Sequence, residues 1–155
     1  MSTSGNQGLS ITEKVSLLKS LSIFNETPET ILLELAPLMQ QKVLQQGDLV
    51  FKEGEPGDCM YIINTGEIEI HKGNTTLAIL QAKEVFGELS LLDAETRSAT
   101  ATVKTDCLLF KIDQQPFYAL IESRPEVAMG FIKILSKRLR QINEKAAQQA
   151  LRNLF

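Results

Sequence analysis

The residues with the most chemistry in this chain fall in one short stretch. It runs Phe86-Gly87-Glu88-Leu89-Ser90 and continues through a polar loop to Arg97-Ser98-Ala99. Residues 88 to 92 are long enough for one helical turn. Unbonded N–H groups of such a turn make an anion site that the local dipole strengthens. Gly87 lets a ligand approach the backbone closely. A guanidinium at Arg97 offers planar, paired donors that match a phosphate. Glu88 is an acceptor suited to a sugar hydroxyl. Together these groups describe a pocket for a phosphorylated sugar. The plainer alternative is a structural Glu88–Arg97 ion pair, with Gly87 a turn glycine and Ser98 a small residue at tight backbone.

The elements that must hold this stretch are legible from their periodicity. Ile11, Val15, Leu18 and Leu21 share one helical face, so a helix is expected to start near Ser10. Thr27-Pro28-Glu29 opens a second, with a hydroxyl cap and proline in the first turn, and Ile31, Leu32, Leu35 and Leu38 form its stripe. From about Lys42 to Ile112 short apolar runs alternate with turn residues: Leu49-Val50-Phe51, Met60-Tyr61-Ile62-Ile63, Glu67-Ile68-Glu69-Ile70, Thr76 to Leu80 after a Gly73-Asn74 hairpin, Ala99 to Val103, and Cys107 to Ile112. Such spacing indicates an antiparallel jelly-roll barrel. Gln114 to Glu122 reads as a short helix. Ser123-Arg124-Pro125-Glu126 then opens a long one, along which Ile132, Leu135, Leu139, Ile142 and Ala146 follow heptad-like spacing. The fold class is therefore α+β, mainly β: an antiparallel β jelly-roll barrel flanked by N-terminal helices and a long C-terminal helix. Residues 1–9 are expected to be disordered and 10–155 to form one domain.

The bulk numbers agree with one soluble domain. The chain has 155 residues, 43% hydrophobic and 23% charged, with a net charge of −3. An acidic balance argues against direct nucleic-acid or anionic-membrane contact. No run approaches a membrane span, and the polar first residues are no secretory signal. Cys59 and Cys107 lie in strand-like runs and read as buried, reduced thiols of a cytoplasmic protein. His71 is the only histidine and reads as a solvated strand position. One histidine cannot build the metal centre of a jelly-roll oxygenase, and no serine or cysteine has a nearby base, so no enzymatic activity is expected. Lys133, Lys137, Arg138, Arg140 and Lys145 read as a solvated face of the last helix.

The run Phe86-Gly87-Glu88-Leu89 followed by Arg97-Ser98-Ala99 resembles the phosphate-binding cassette of cyclic-nucleotide-binding domains. That family includes the bacterial catabolite activator, kinase regulatory subunits and cyclic-nucleotide-gated channels. Gly47-Asp48-Leu49-Val50-Phe51, Gly54, Gly57-Asp58, Tyr61-Ile62-Ile63 and Gly66 also look like the family's barrel, and the likeness covers roughly residues 17 to 145. The resemblance implies that Glu88 accepts the ribose 2′-hydroxyl and that Arg97 pairs with the cyclic phosphate. It places backbone N–H groups near Leu89 and Ser90 on the phosphate too, and Ser98 beside it. Ile70, Leu77 and Leu80 match apolar positions around the base. The long helix would cover the base, with Ile142 and Asn143 in contact. The catabolite activator has a hydroxyl residue at the position matching Ile142, so the chain departs from the pattern there, and Asn143 offers a substitute amide. The implied ligand is cyclic AMP (cAMP), preferred over cyclic GMP (cGMP).

The expected function is a stand-alone regulatory sensor module in signal transduction, acting on a protein effector and forming a homodimer through the C-terminal helix. Two alternatives carry different predictions. One is a ligand-free barrel scaffold for protein contacts. The other is a truncated transcription regulator without its DNA-binding domain, since the sequence stops at Phe155.

Overall fold

The computed structural model describes residues 8–22, 24–93 and 95–154. Most of the expected disorder in residues 1–9 falls outside them, but Leu9 packs partly buried against the core. Helix α1 (Ile11–Ser20) begins at Ser10, whose hydroxyl accepts from the Glu13 N–H while the Glu13 carboxylate accepts from the Ser10 N–H. This reciprocal cap satisfies two otherwise unbonded donors. Helix α2 (Glu29–Leu35) differs from expectation. Pro28, not Thr27, is its N-cap, and no side chain caps it. Thr27 is buried instead, and the Pro28 carbonyl accepts from Ile31 and Leu32. A 3-10 turn, Ala36–Leu38, follows.

The strands are β1 (Gln40–Leu44), β2 (Leu49–Phe51), β3 (Cys59–Lys72), β4 (Thr75–Leu80), β5 (Val85–Phe86) and β6 (Thr100–Asp113). They form one antiparallel sheet in the order β1-β6-β3-β4, with β2 also on β6 and β5 on β3. The sheet is jelly-roll-like but does not close into a barrel among the described residues, because β1 and β4 end the path without pairing with each other. Two expected pairs of short strands are in fact single long ones. Met60–Ile63 and Glu67–Ile70 belong to β3, and the runs on either side of Lys104 belong to β6. The breaks read as turns are bulges. Register shifts occur at Ile63/Thr65, Thr65/Glu67 and Glu67/Ile68, and Gly66 has φ +94° with a Cβ position blocked by Asp106 O. A bulge bends the strand without ending it.

The unbroken apolar run of β3 has a physical reason. Cys59, Tyr61 and Ile63 face one core, with Phe51, Phe86, Ala101 and Leu109. Met60 and Ile62 face the other, with the helices. A strand covered on both sides does not alternate in polarity. The last two helices are α4 (Gln114–Ser123) and α5 (Pro125–Leu154). Helix α5 buries apolar side chains in its first turns, and two ion pairs from its middle tie it further. Val127 and Phe131 are buried, and Phe131 meets Phe117 and Phe24 edge to face at 4.7 and 5.6 Å. From Leu139 onward the described part of the helix is exposed.

His71 is half-buried rather than solvated. Its ring nitrogens lie 2.8 Å from Gly73 O and 2.8 Å from the Thr102 hydroxyl. The basic face of α5 is also not simply solvated: Lys137 pairs with Glu26 at 2.9 Å and Arg138 with Glu88 at 2.8 Å. Cys59 and Cys107 are free and buried.

Candidate functional site

The site is built where β5 ends. Helix α3 (Glu88–Asp93) follows Gly87, and the loop through Arg97 returns beside it. Backbone bonds fix that return. The Arg97 N–H donates to Glu55 O at 2.8 Å, the Gly54 N–H to Arg97 O at 2.9 Å, and the Gly57 N–H to Glu95 O at 3.1 Å. The glycine-rich loop between β2 and β3 thus serves as the template for the arginine loop. From the other side, the Gln114 amide donates to Ser90 O and Leu91 O, closing the end of α3.

Arg97 is only 6% exposed. Its Nη2 donates to Cys59 O at 3.0 Å and lies 3.2 Å from Cys59 Sγ. Its guanidinium carbon sits 4.3 Å from the centroid of the Phe51 ring, a cation–π contact. Nε and Nη1 are buried without a hydrogen-bond partner. Buried donors of a charged group are costly to leave unpaired, roughly 1–3 kcal/mol or more. Gly87 explains how the backbone comes so close: its φ is +73°, and a Cβ there would stand 2.6 Å from Arg97 Nη1. Phe51, Tyr61 and Phe86 pack ring against ring beneath the site, the last two stacked at 5.1 Å, with Phe51 and Phe86 lining it. Burial, then the neighbouring Cys59 thiol, pushes the Tyr61 phenol's pKa up, so it stays neutral.

Phe51, Phe86, Gly87 and Arg97 line a cleft of about 440 Å³, together with Ile70, Val85, Glu88, Ser90, Glu95 and Ser98. Of the residues singled out in the sequence, Gly87, Glu88, Ser90, Arg97, Ser98 and Ile70 therefore come together. Leu89 belongs to α3, and its side chain lies outside the described residues. Leu80 packs against the barrel core instead. Leu77 and Ile142 are exposed, as is Asn143, and none of the three lines the cleft. Helix α5 has left the sheet by that point.

Two local readings change. Glu88 and Arg97 are not an ion pair: Glu88 Oε1 accepts from Arg138. The Ser90 N–H is not free, because it donates to Gly87 O at 3.2 Å. Sequence reasoning also missed Phe51, Cys59 and Arg138. Only the aromatic character of Phe51 hinted at a role, because its contact with Arg97 spans 46 positions of sequence.

An open antiparallel jelly roll, carrying a helical turn and a buried arginine with unpaired donors, defines a domain whose cleft offers charged donors to a small anion. Comparison with known proteins narrows this. The model of the cyclic nucleotide-binding domain matches residues 41–124. A CRP-like cAMP-activated global transcriptional regulator of Mycobacterium tuberculosis is 31% identical over 136 residues, covering 84% of this chain and 61% of that protein. A cyclic AMP receptor protein of Thermus thermophilus is 35% identical over 119 residues, covering 74% and 55%. The crystal structure of the N-terminal domain of a transcriptional regulator from Streptomyces coelicolor aligns with TM-score 0.74 and 31% identity, over 83% of this chain and 95% of that one. The chain belongs to the cyclic nucleotide-binding domain family. It spans less than two thirds of the length of the two curated relatives. By name the first is a transcriptional regulator and the second a receptor. Among the described residues no helix is long and apolar enough to cross a membrane, and no cluster of His, Cys, Asp and Glu is placed to hold a metal.

Proposed function

We propose that this chain binds cAMP, in preference to cGMP, and works as a non-enzymatic, cytoplasmic sensor module in its own right, passing the signal to a protein effector. The observation that carries the reading is the pair of buried, partnerless nitrogens on Arg97. A cyclic phosphate would satisfy both and offset their burial. Glu88 has a second carboxylate oxygen to accept a ribose hydroxyl while Oε1 holds Arg138. Gly87 leaves the backbone open beside the phosphate, and Ser98 and Ile70 stand at its edges.

The preference for cAMP rests on the names of the relatives. Base contacts from Leu77, Leu80, Ile142 and Asn143 require α5 and the β3–β4 hairpin to move toward the cleft. In this proposal ligand draws the helix in, a population shift driven by its greater affinity for the closed form. The exposed Leu139 and Ile142 on α5 would then dimerise or meet the effector. The acidic net charge opposes direct nucleic-acid contact. The free, buried thiols fit a reducing compartment.

Calorimetric titration with each nucleotide tests the core of the reading, with sizing before and after ligand. Saturable one-to-one binding of cAMP, tighter than cGMP, is the expected result. No heat with either nucleotide, together with an unmoved melting temperature, leaves the scaffold alternative.

A further inference from the structure

A second cleft, of about 570 Å³, lies behind α5, between that helix, the α1–α2 loop and the turn before β5. Its walls carry Lys83, Lys133, Lys137, Arg138 and Arg140 against Glu26 and Glu84. That is five cations against two carboxylates, a local excess of three positive charges in a chain whose net charge is −3. Such concentration focuses positive potential in one concavity. Lys137 and Arg138 are already paired, with Glu26 and Glu88. Lys83, Lys133 and Arg140 have no carboxylate partner among the described residues. They come from two separate elements. Lys133, Lys137 and Arg140 recur at helical spacing, so one face of α5 presents them together.

Lys83 is held where it is at a cost. It is the only non-glycine described with positive φ, +71°. Its N–H donates to Ile63 O at 2.8 Å, and the Ile63 N–H donates to Glu84 O at 3.0 Å. These bonds fix the root of the side chain in the lining of the cleft. A left-handed lysine is strained, because its Cβ crowds the following carbonyl oxygen. Such strain concentrates where a residue has a task.

We propose that this cleft is a second ligand site, separate from the cassette, that takes a small soluble polyanion bearing two or more phosphates. Its volume suits a nucleotide-sized molecule. Cations on opposite walls favour a ligand with several charges over a single phosphate. Ser22 and Asn25 in the lining supply neutral hydrogen-bonding groups.

The test is calorimetry on the whole chain with inorganic tripolyphosphate, with orthophosphate as the control. Saturable one-to-one binding is expected, at least about tenfold tighter than orthophosphate. Lys133→Gln with Arg140→Gln should weaken it at least about tenfold, whereas Arg97→Ala should leave it unchanged. These side chains are exposed, so the melting temperature of the double variant should stay near wild type. Lys83→Gln gives an independent second variant with the same expected direction. The proposal is overturned by absent or unsaturable binding, by equal affinity for orthophosphate, or by indifference to both sets of substitutions. Loss of binding in Arg97→Ala would place the polyanion in the cassette. Capture by vesicles carrying a phosphoinositide, without uptake of tripolyphosphate, would assign the surface to a lipid headgroup.

Discussion

Arg138 Nη1 donates to Glu88 Oε1 at 2.8 Å, so the middle of the last helix is tied to the first residue of the cassette turn. No other ion pair links α5 to α3 among the described residues. The pair is partly exposed, which limits its worth to about 1 kcal/mol or less. Arg138→Gln should therefore barely change global stability. It should, however, speed amide exchange along α5 beyond Phe131 and in α3. Unchanged exchange in both segments would show that the pair couples nothing.

Arg97→Ala should weaken cAMP binding by about 2–5 kcal/mol, because a buried phosphate would lose its charged partner. That is roughly 30-fold to several thousand-fold in dissociation constant. Calorimetry measures it directly. The same change removes two unpaired buried nitrogens from the free protein. Stability without ligand should thus fall by less than the loss of so much packing on Phe51 would suggest. Near-unchanged affinity would reject the assigned role.

Gly87→Ala adds a Cβ 2.6 Å from Arg97 Nη1 on a residue with φ +73°. The left-handed backbone alone costs about 1–2 kcal/mol for an L side chain. The guanidinium must also shift. Denaturant unfolding should show the stability loss, and titration should show weaker nucleotide binding. A variant as stable and as tight as the parent would mean that the turn relaxes freely.

Asp113 sits at the end of β6. Burial raises its pKa, but hydrogen bonds from Gln40 and Lys111 and the charges of Lys111 and Lys42 outweigh that, and the net direction is down. A carboxyl whose folded pKa lies below its unfolded value stabilises the fold above the unfolded pKa, near 4. That contribution is lost as pH falls through the folded value. Asp113→Asn should accordingly be the less stable protein at neutral pH. The difference should shrink below about pH 4. It should be no more than about 1 kcal/mol, since the Lys111 pair at 3.2 Å is partly exposed. A gap that persists at pH 2 to 3 would assign the effect to packing.

The order of helices, strands and final helices was readable from periodicity because each rests on local spacing. So was the segment that brings Gly87, Glu88 and Arg97 to one cleft, since the three lie within eleven consecutive residues. Strand continuity was not readable. A bulge at Gly66 and a turn look alike in one dimension, and only the partner strand distinguishes them.

What the amino-acid order determined by itself was the fold class and the chemical types in the cassette, because both follow from neighbours a few positions apart. Which groups those side chains meet was decided by tertiary packing. Arg97 settles on Phe51 and Cys59 rather than on Glu88, and Glu88 turns to Arg138, fifty positions away. Residues 142 and 143 stay outside the cleft because α5 is exposed from Leu139 onward, beyond its buried Val127 and Phe131 and its Arg138 tie, and Leu77 is exposed on β4. Charge pairing and exposure depend on distances through space, and periodicity along the chain carries no record of them.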